Sequence, residues 1–147
     1  MTPKTKFAIT LCVLIVAGIA LLSVGVVCLT NQPHDLTYVE TKDFLSQNNI
    51  DKRIYNVENY NCHNFATDLI NDAKAEYIRC AYVRIHFIDN AHSIVAFNTT
   101  DNGLVFIEPQ NDARARVVIG ENYVAWGENW EIYCSDTPVV GVDITWT

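Results

Sequence analysis

The sequence is short of basic residues, with 10 lysines and arginines against 17 aspartates and glutamates. Lys4 and Lys6 are the only charged residues among the first 30, so the rest of the chain carries 8 basic and 17 acidic side chains, a net charge of −9. An acidic surface repels the phosphates of nucleic acids and of anionic lipid headgroups. The composition therefore argues against a nucleic-acid-binding protein.

Internal repeats and low-complexity tracts are also absent from the sequence, as is any close pair of ligands with zinc-site spacing. We therefore predict no metal site and no cofactor. About 118 residues follow the apolar N-terminal segment, enough for one compact domain and too few for two.

Charged residues are missing altogether from Phe7 to Leu29, a run of 23 residues. A helix needs roughly 20 residues to cross a bilayer, whereas the apolar part of a signal peptide has about 7–15. Lys4 and Lys6 precede the run and acidic residues follow it, which favours a cytoplasmic N-terminus. The sequence predicts a single-pass cell-membrane protein anchored by residues 7–29, with its C-terminal domain outside the cytoplasm. A cleaved signal is the alternative.

The sequence predicts three segments. Residues 1–30 form a cytoplasmic stub and the transmembrane helix, residues 31–36 form a polar linker, and residues 37–147 form the domain. Thr41 is predicted to cap a short helix that ends near Asn48. A second helix is predicted from its cap at Asn61 to about Lys74, because its apolar residues recur with helical spacing. This stripe consists of Phe65, Ala66, Leu69, Ile70 and Ala73.

From residue 80 the apolar period changes to two, which predicts strands. The turn sequence Thr100-Asp101-Asn102-Gly103 joins two of them into a hairpin. Helices followed by an antiparallel sheet indicate an α+β fold with the helices packed on the sheet. The predicted strands are residues 80–87, 93–97, 104–108, 116–119, 123–126, 131–134 and 139–146.

Three residues in these elements form a candidate catalytic group: Cys62, His92 and Glu108. Cys62 opens the second helix, where the helix dipole and unpaired amides favour the thiolate and can hold an oxyanion. A turn centred near residues 100–101 places His92 opposite Glu108 in the hairpin. An imidazole there would accept and return the thiol proton, and the carboxylate would orient the imidazole. Tyr60 and Asn61 are interpreted as tentative substrate or oxyanion-hole residues because they adjoin Cys62.

The order of these residues resembles the transglutaminase-like branch of the papain-like cysteine enzymes, and residues 37–112 resemble small prokaryotic proteins of this type. In that family a cysteine heads a helix, a histidine begins a later strand, and an acid followed by proline ends the next. The resemblance implies a papain-like fold and a thiol hydrolase or acyltransferase acting on peptide or isopeptide amides. The matching segments are Tyr60-Asn61-Cys62-His63-Asn64-Phe65-Ala66, Ala91-His92-Ser93 and Phe106-Ile107-Glu108-Pro109.

Two other functions remain open at this point. Glu108 with Asn111 is similar to the ending of the CHAP-type cell-wall amidases, which share the cysteine and histidine order. A transglutaminase-like domain without activity could instead serve as a surface binding or assembly module. A transglutaminase-like enzyme and a CHAP-type amidase would both act on a peptide or protein substrate outside the membrane. The sequence leaves the oligomeric state open.

The predicted domain holds three cysteines, Cys62, Cys80 and Cys134. One disulfide among them leaves one free thiol. Catalysis requires Cys62 to be free, which makes Cys80–Cys134 the possible disulfide, although the sequence does not choose among the three pairings.

Overall fold

The computed structural model describes residues 32–126 and 132–147, with backbone alone for residues 132–134. The predicted membrane anchor, residues 7–29, lies outside these ranges. Within these ranges, no helix has the length and apolar character needed to cross a membrane. A compact unit extends from Pro33 to Thr147.

This unit includes residues that the sequence assigned to a linker. The amide of His34 donates to the Tyr77 carbonyl at 2.9 Å, and the amide of Arg79 donates to the His34 carbonyl at 2.9 Å. Asp35 forms an ion pair with Arg79 at 3.3 Å, and Leu36 packs against the core. The domain therefore begins before the predicted boundary at residue 37.

The first helix, α1, spans Tyr38–Gln47 and begins earlier than predicted. Its N-cap is Thr37, which forms a reciprocal capping box with Glu40. Thr41, the predicted cap, is buried inside the helix and donates its hydroxyl proton to the Thr37 carbonyl at 2.9 Å. The prediction was wrong because Thr37, with a glutamate three residues later, satisfies more of the free amides.

The second helix, α2, spans Cys62–Ala75 with Asn61 as its N-cap, as predicted. The predicted apolar stripe is its buried face. The side chain of Asn61 accepts from the His63 amide at 3.0 Å, and the side chain of Asn64 accepts from the Asn61 amide at 3.0 Å. These hydrogen bonds stabilise the first turn and so fix the residue at which α2 begins.

In the part of the chain that the structure describes, seven strands form one sheet in which every neighbouring pair is antiparallel, in the order β6-β5-β4-β3-β2-β1-β7. The predicted strand 116–119 is displaced to residues 113–116. The strands are β1 Cys80–His86, β2 Ala91–Thr99, β3 Gly103–Glu108, β4 Ala113–Arg116, β5 Asn122–Trp126, β6 Ile132–Pro138 and β7 Gly141–Trp146.

The predicted fold class was wrong. Strand accounts for 44% and helix for 22% of the structure, and the sheet is curled into a half-barrel. Over the described residues, the expected papain-like or transglutaminase-like α+β domain is therefore replaced by a mainly antiparallel architecture. The transmembrane helix expected before this domain lies outside those residues. The alternating pattern located most strands but carried no information on how a sheet of seven strands would curl.

The two faces of the sheet bury separate clusters. The helix face packs against α1 and α2 through side chains such as Val95, Phe97 and Ile107. The opposite face, here called the inner face, buries another set among the strands themselves, as the curl of the sheet allows. This second set consists of Ala81, Val83, Ile85, Phe87, Ile94, Ala96, Ala113, Ala115, Tyr123, Ala125 and Val139.

Replacing Leu69 with alanine tests the joint between α2 and the sheet. Leu69 is fully buried, so Leu69→Ala should lower the free energy of unfolding by about 2–5 kcal/mol. The matched control is Leu104→Ala, because Leu104 is 42% exposed and should change stability by only about 0.5 kcal/mol. Urea unfolding measures both variants, and equal losses would contradict the assigned packing.

Candidate active site

Cys62 is the first residue of α2 and is half-buried. The thiol therefore lies at the positive end of the helix dipole, an environment that stabilises negative charge. Because the stripe that begins at Phe65 is packed on the sheet, the position of the thiol is set by the whole length of the helix.

His92 and Glu108 lie near the ends of neighbouring strands, on the inner face. In the hairpin Thr99 pairs with Gly103 and Val95 with Ile107, a register that places Glu108 level with Ile94. The predicted register, with His92 directly opposite Glu108, was wrong by two residues. The cause is that the connection between β2 and β3 is centred on Asp101, one residue later than the predicted register requires. Gly103, which follows the connection, has φ of +64°.

The two side chains nevertheless meet as diagonal neighbours on one face, within the reach of long side chains. Nε2 of His92 lies 2.5 Å from Oε2 of Glu108. The His92 side chain also makes a hydrogen bond with Cys62. The structure therefore brings Cys62, His92 and Glu108 into one hydrogen-bonded series.

Glu108 is 2% exposed, and both of its carboxylate oxygens have partners. The Tyr123 hydroxyl donates to Oε2 at 2.8 Å, and the Gln110 side-chain amide donates to Oε1 at 3.1 Å. The Tyr123 ring also packs edge-on against His92, with centroids 5.4 Å apart. These contacts hold the carboxylate and the imidazole in a single orientation.

The surroundings of His92 favour its charged form. Burial disfavours the imidazolium and is the largest influence, but the hydrogen bonds that His92 makes to Cys62 and Glu108 and the charges of both outweigh it. The pKa of His92 is raised to about 9 as a result.

The thiol responds in the opposite sense. Burial again opposes ionisation of Cys62 most strongly, but the His92 side chain and both the backbone and the hydroxyl of Ser93 hydrogen-bond to the sulfur. With the charge of His92 added, the pKa of Cys62 falls below its ordinary value. A lowered thiol pKa and a raised imidazole pKa together describe a thiolate–imidazolium pair.

Three other residues singled out in the sequence point elsewhere. The Tyr60 hydroxyl donates to Asp68 at 2.7 Å, almost two turns along α2 from the thiol. The side chain of Asn61 caps the helix, as described above. Asn111 accepts from the Ala113 amide at 3.1 Å, so it stabilises the turn after β3 rather than contacting His92.

Cys80 is a buried, free thiol on β1. Its burial raises its pKa far above the ordinary range and makes it unreactive. Cys134 belongs to β6, which four strands separate from β1 in the sheet. The predicted Cys80–Cys134 disulfide is therefore not formed in the structure. The side chain of Cys134 lies outside the described residues.

Sequence reasoning missed Ser93, Gln110 and Tyr123. Gln110 follows Glu108 by two residues, a spacing that could have indicated it. No sequence pattern near Tyr123 could have indicated that it contacts Glu108, because the turns joining β3, β4 and β5 bring it to the site. Within residues 32–126 and 132–147, no cluster of three or more histidine, cysteine or acidic side chains is suited to a metal ion.

No family model and no curated protein matches this chain. It is similar to a solved structure described as "PSL1a-E64 complex", with a TM-score of 0.50 and 18% identity. The match covers 54% of this chain and 34% of that chain, so it spans about a third of the length of the solved protein. At this identity the likeness concerns the fold alone.

Glu108→Gln should lower the pKa of His92 from about 9, because the variant removes the negative charge that favours the imidazolium. NMR titration of the carbon-bound ring protons of His92 measures the shift. Asp143→Asn is a matched control, since Asp143 pairs with a different histidine, His86, at 2.7 Å on the surface. An unchanged His92 titration in Glu108→Gln would contradict the assigned coupling.

Proposed function

We propose that this protein is a cysteine-dependent hydrolase or acyltransferase that acts on peptide or isopeptide amide bonds. Cys62 is its nucleophile, His92 carries the proton, and Glu108 orients His92. The observation that supports this proposal is the hydrogen-bonded series from a half-buried thiol at a helix N-terminus, through a buried imidazole, to a carboxylate that is 2% exposed.

The directions of the two pKa shifts, downward for Cys62 and upward for His92, suit this chemistry. Below about pH 9 His92 is protonated, and above the lowered pKa of Cys62 the sulfur is ionised. Between these limits the nucleophile is already a thiolate, and the acid needed by the leaving group is already in place. Cys80 has neither feature, so the site selects one thiol of the domain.

In the first step the Cys62 thiolate attacks the carbonyl carbon, and a carbon–sulfur bond forms. The amide carbon–nitrogen bond then breaks, and His92 gives its proton to the departing amine. Water or a second amine next attacks the thioester while His92 accepts a proton from it. The carbon–sulfur bond breaks, the thiolate is restored, and the product is an acid or a new amide.

The order of the three residues is what the proposal retains from the resemblance to transglutaminase-like enzymes. The anchor predicted for residues 7–29 would place this site at the outer surface of a membrane. Peptides and surface-protein linkages are therefore the substrate class that we propose, with no cofactor required.

Alkylation of Cys62 should become fast at a lower pH than that of an ordinary thiol, because the pKa of Cys62 is lowered. The rate is measured against pH with iodoacetamide by quantifying the Cys62 peptide in a mass spectrometer. His92→Ala should shift the profile toward the ordinary thiol pKa of about 8.5, a loss of at least about tenfold at pH 6.5.

Cys80 in the same digests is the internal control and should stay unlabelled in the folded protein, since it is fully buried. A Cys62 profile that rises only near pH 8.5 in the unaltered protein would overturn the proposal. It would favour instead a domain that binds or assembles without catalysis.

Turnover of peptide and isopeptide amides should depend on pH with an alkaline limb near pH 9, where His92 loses its proton. Measuring kcat/KM against pH with a mixed peptide pool and mass-spectrometric detection tests this. Cys62→Ser should abolish turnover, whereas Cys80→Ser should retain it. Turnover that survives in Cys62→Ser would exclude Cys62 as the nucleophile.

A further inference from the structure

A second series of hydrogen bonds reaches Cys62 from the helix face of the sheet. Nδ1 of His63 lies 2.9 Å from the Tyr82 hydroxyl, and that hydroxyl lies 2.6 Å from the Ser93 hydroxyl. Ser93 in turn contacts the Cys62 sulfur through its hydroxyl and its backbone amide. None of these contacts involves His92 or Glu108.

Three elements contribute one residue each to this series. His63 lies in the first turn of α2, directly after Cys62. Tyr82 pairs with Val95 across β1 and β2, and Ser93 pairs with Arg84, so Tyr82 and Ser93 are diagonal neighbours on one face. The His63 and Tyr82 rings also meet edge-on, with centroids 5.5 Å apart. The series therefore ties the start of α2 to the two central strands.

The direction of the protons follows from the number of donors. Ser93 has one hydroxyl proton, and its hydroxyl has Tyr82 and the Cys62 sulfur as partners. If it donates to the thiolate, which only accepts, it must accept the proton of Tyr82. Tyr82 must then accept from a protonated Nδ1 of His63. Every donor in the series points toward the sulfur.

We propose that Ser93, oriented by Tyr82 and His63, is a positioning residue that donates its hydroxyl proton to the Cys62 sulfur and stabilises the thiolate from the side opposite His92. This inference rests on the proposed function, because it concerns the same nucleophile. It assigns to the site a second source of thiolate stabilisation that does not exchange protons with the substrate.

The first test compares Ser93→Ala with the unaltered protein in the alkylation profile of Cys62. Loss of one charge-assisted hydrogen bond should raise the midpoint by about one pH unit, a ~tenfold slower reaction at pH values below it. Ser93→Thr keeps a hydroxyl and should restore most of the rate. Tyr82→Phe should give a smaller shift in the same direction, since Ser93 loses its oriented partner.

Thr99→Val is the matched control, because Thr99 is another buried hydroxyl residue on β2 that bonds to Gly103 at 2.9 Å. This variant should lose stability without moving the midpoint. A midpoint unchanged in Ser93→Ala, or shifted equally in Thr99→Val, would overturn the assignment of Ser93 while the low midpoint of the unaltered protein still supported the proposed function.

The second test does not depend on the reactivity of the Cys62 thiol. Nitrogen-15 NMR of the unaltered protein should show His63 protonated at Nδ1, and Tyr82→Phe should remove the preference for that tautomer. A neutral His63 protonated only at Nε2 would overturn the series, whatever the reactivity of Cys62. An ordinary thiol midpoint together with an Nδ1-protonated His63 would instead reject the proposed function and leave the hydrogen-bond series intact.

Discussion

Burial of the Glu108 carboxylate is the constraint on which the site depends. A carboxylate removed from water is costly unless charge and hydrogen bonds compensate for it. At Glu108 that compensation comes from His92, Tyr123 and Gln110. These partners come from β2, β5 and the turn after β3, so the order of the strands is what allows this carboxylate to be buried. The same hydrogen bond that stabilises Glu108 also holds His92 in its charged form.

The position of Cys62 depends on a second set of contacts, the packing of α2 against the helix face of the sheet. Consecutive residues of a strand point to opposite faces, yet both His92 and Ser93 reach the same sulfur. This is possible because Cys62 opens its helix close to where β2 begins, so that it is approached from both faces. The thiol thus lies between an imidazole on the inner face and a hydroxyl on the helix face.

Local features of this chain could be predicted well. The start of α2 at Asn61, its buried stripe and the hairpin of β2 and β3 were all confirmed, because caps, helical spacing and turn sequences act over a few residues. The predictions were wrong where two residues could cap the same helix, and where a shift of one residue in the turn changed the pairing of the strands. Thr37 displaced Thr41 as the cap of α1. A turn centred on Asp101, one residue later than the predicted register requires, moved the hairpin register by two.

The sequence by itself determined that a cysteine would open a helix and that a histidine and an acid would lie on adjacent strands, since each placement follows from short-range pattern. Only the tertiary structure decided that the sheet curls, that Tyr123 closes around Glu108, that Cys80 stays a free thiol, and that Ser93 reaches the sulfur. Those outcomes depend on contacts between residues far apart in the chain, such as the pairing of Ala81 in β1 with Trp146 in β7, 65 positions later. They also depend on burial that no local pattern records. Long-range packing, rather than propensity, therefore sets the charge of the thiol.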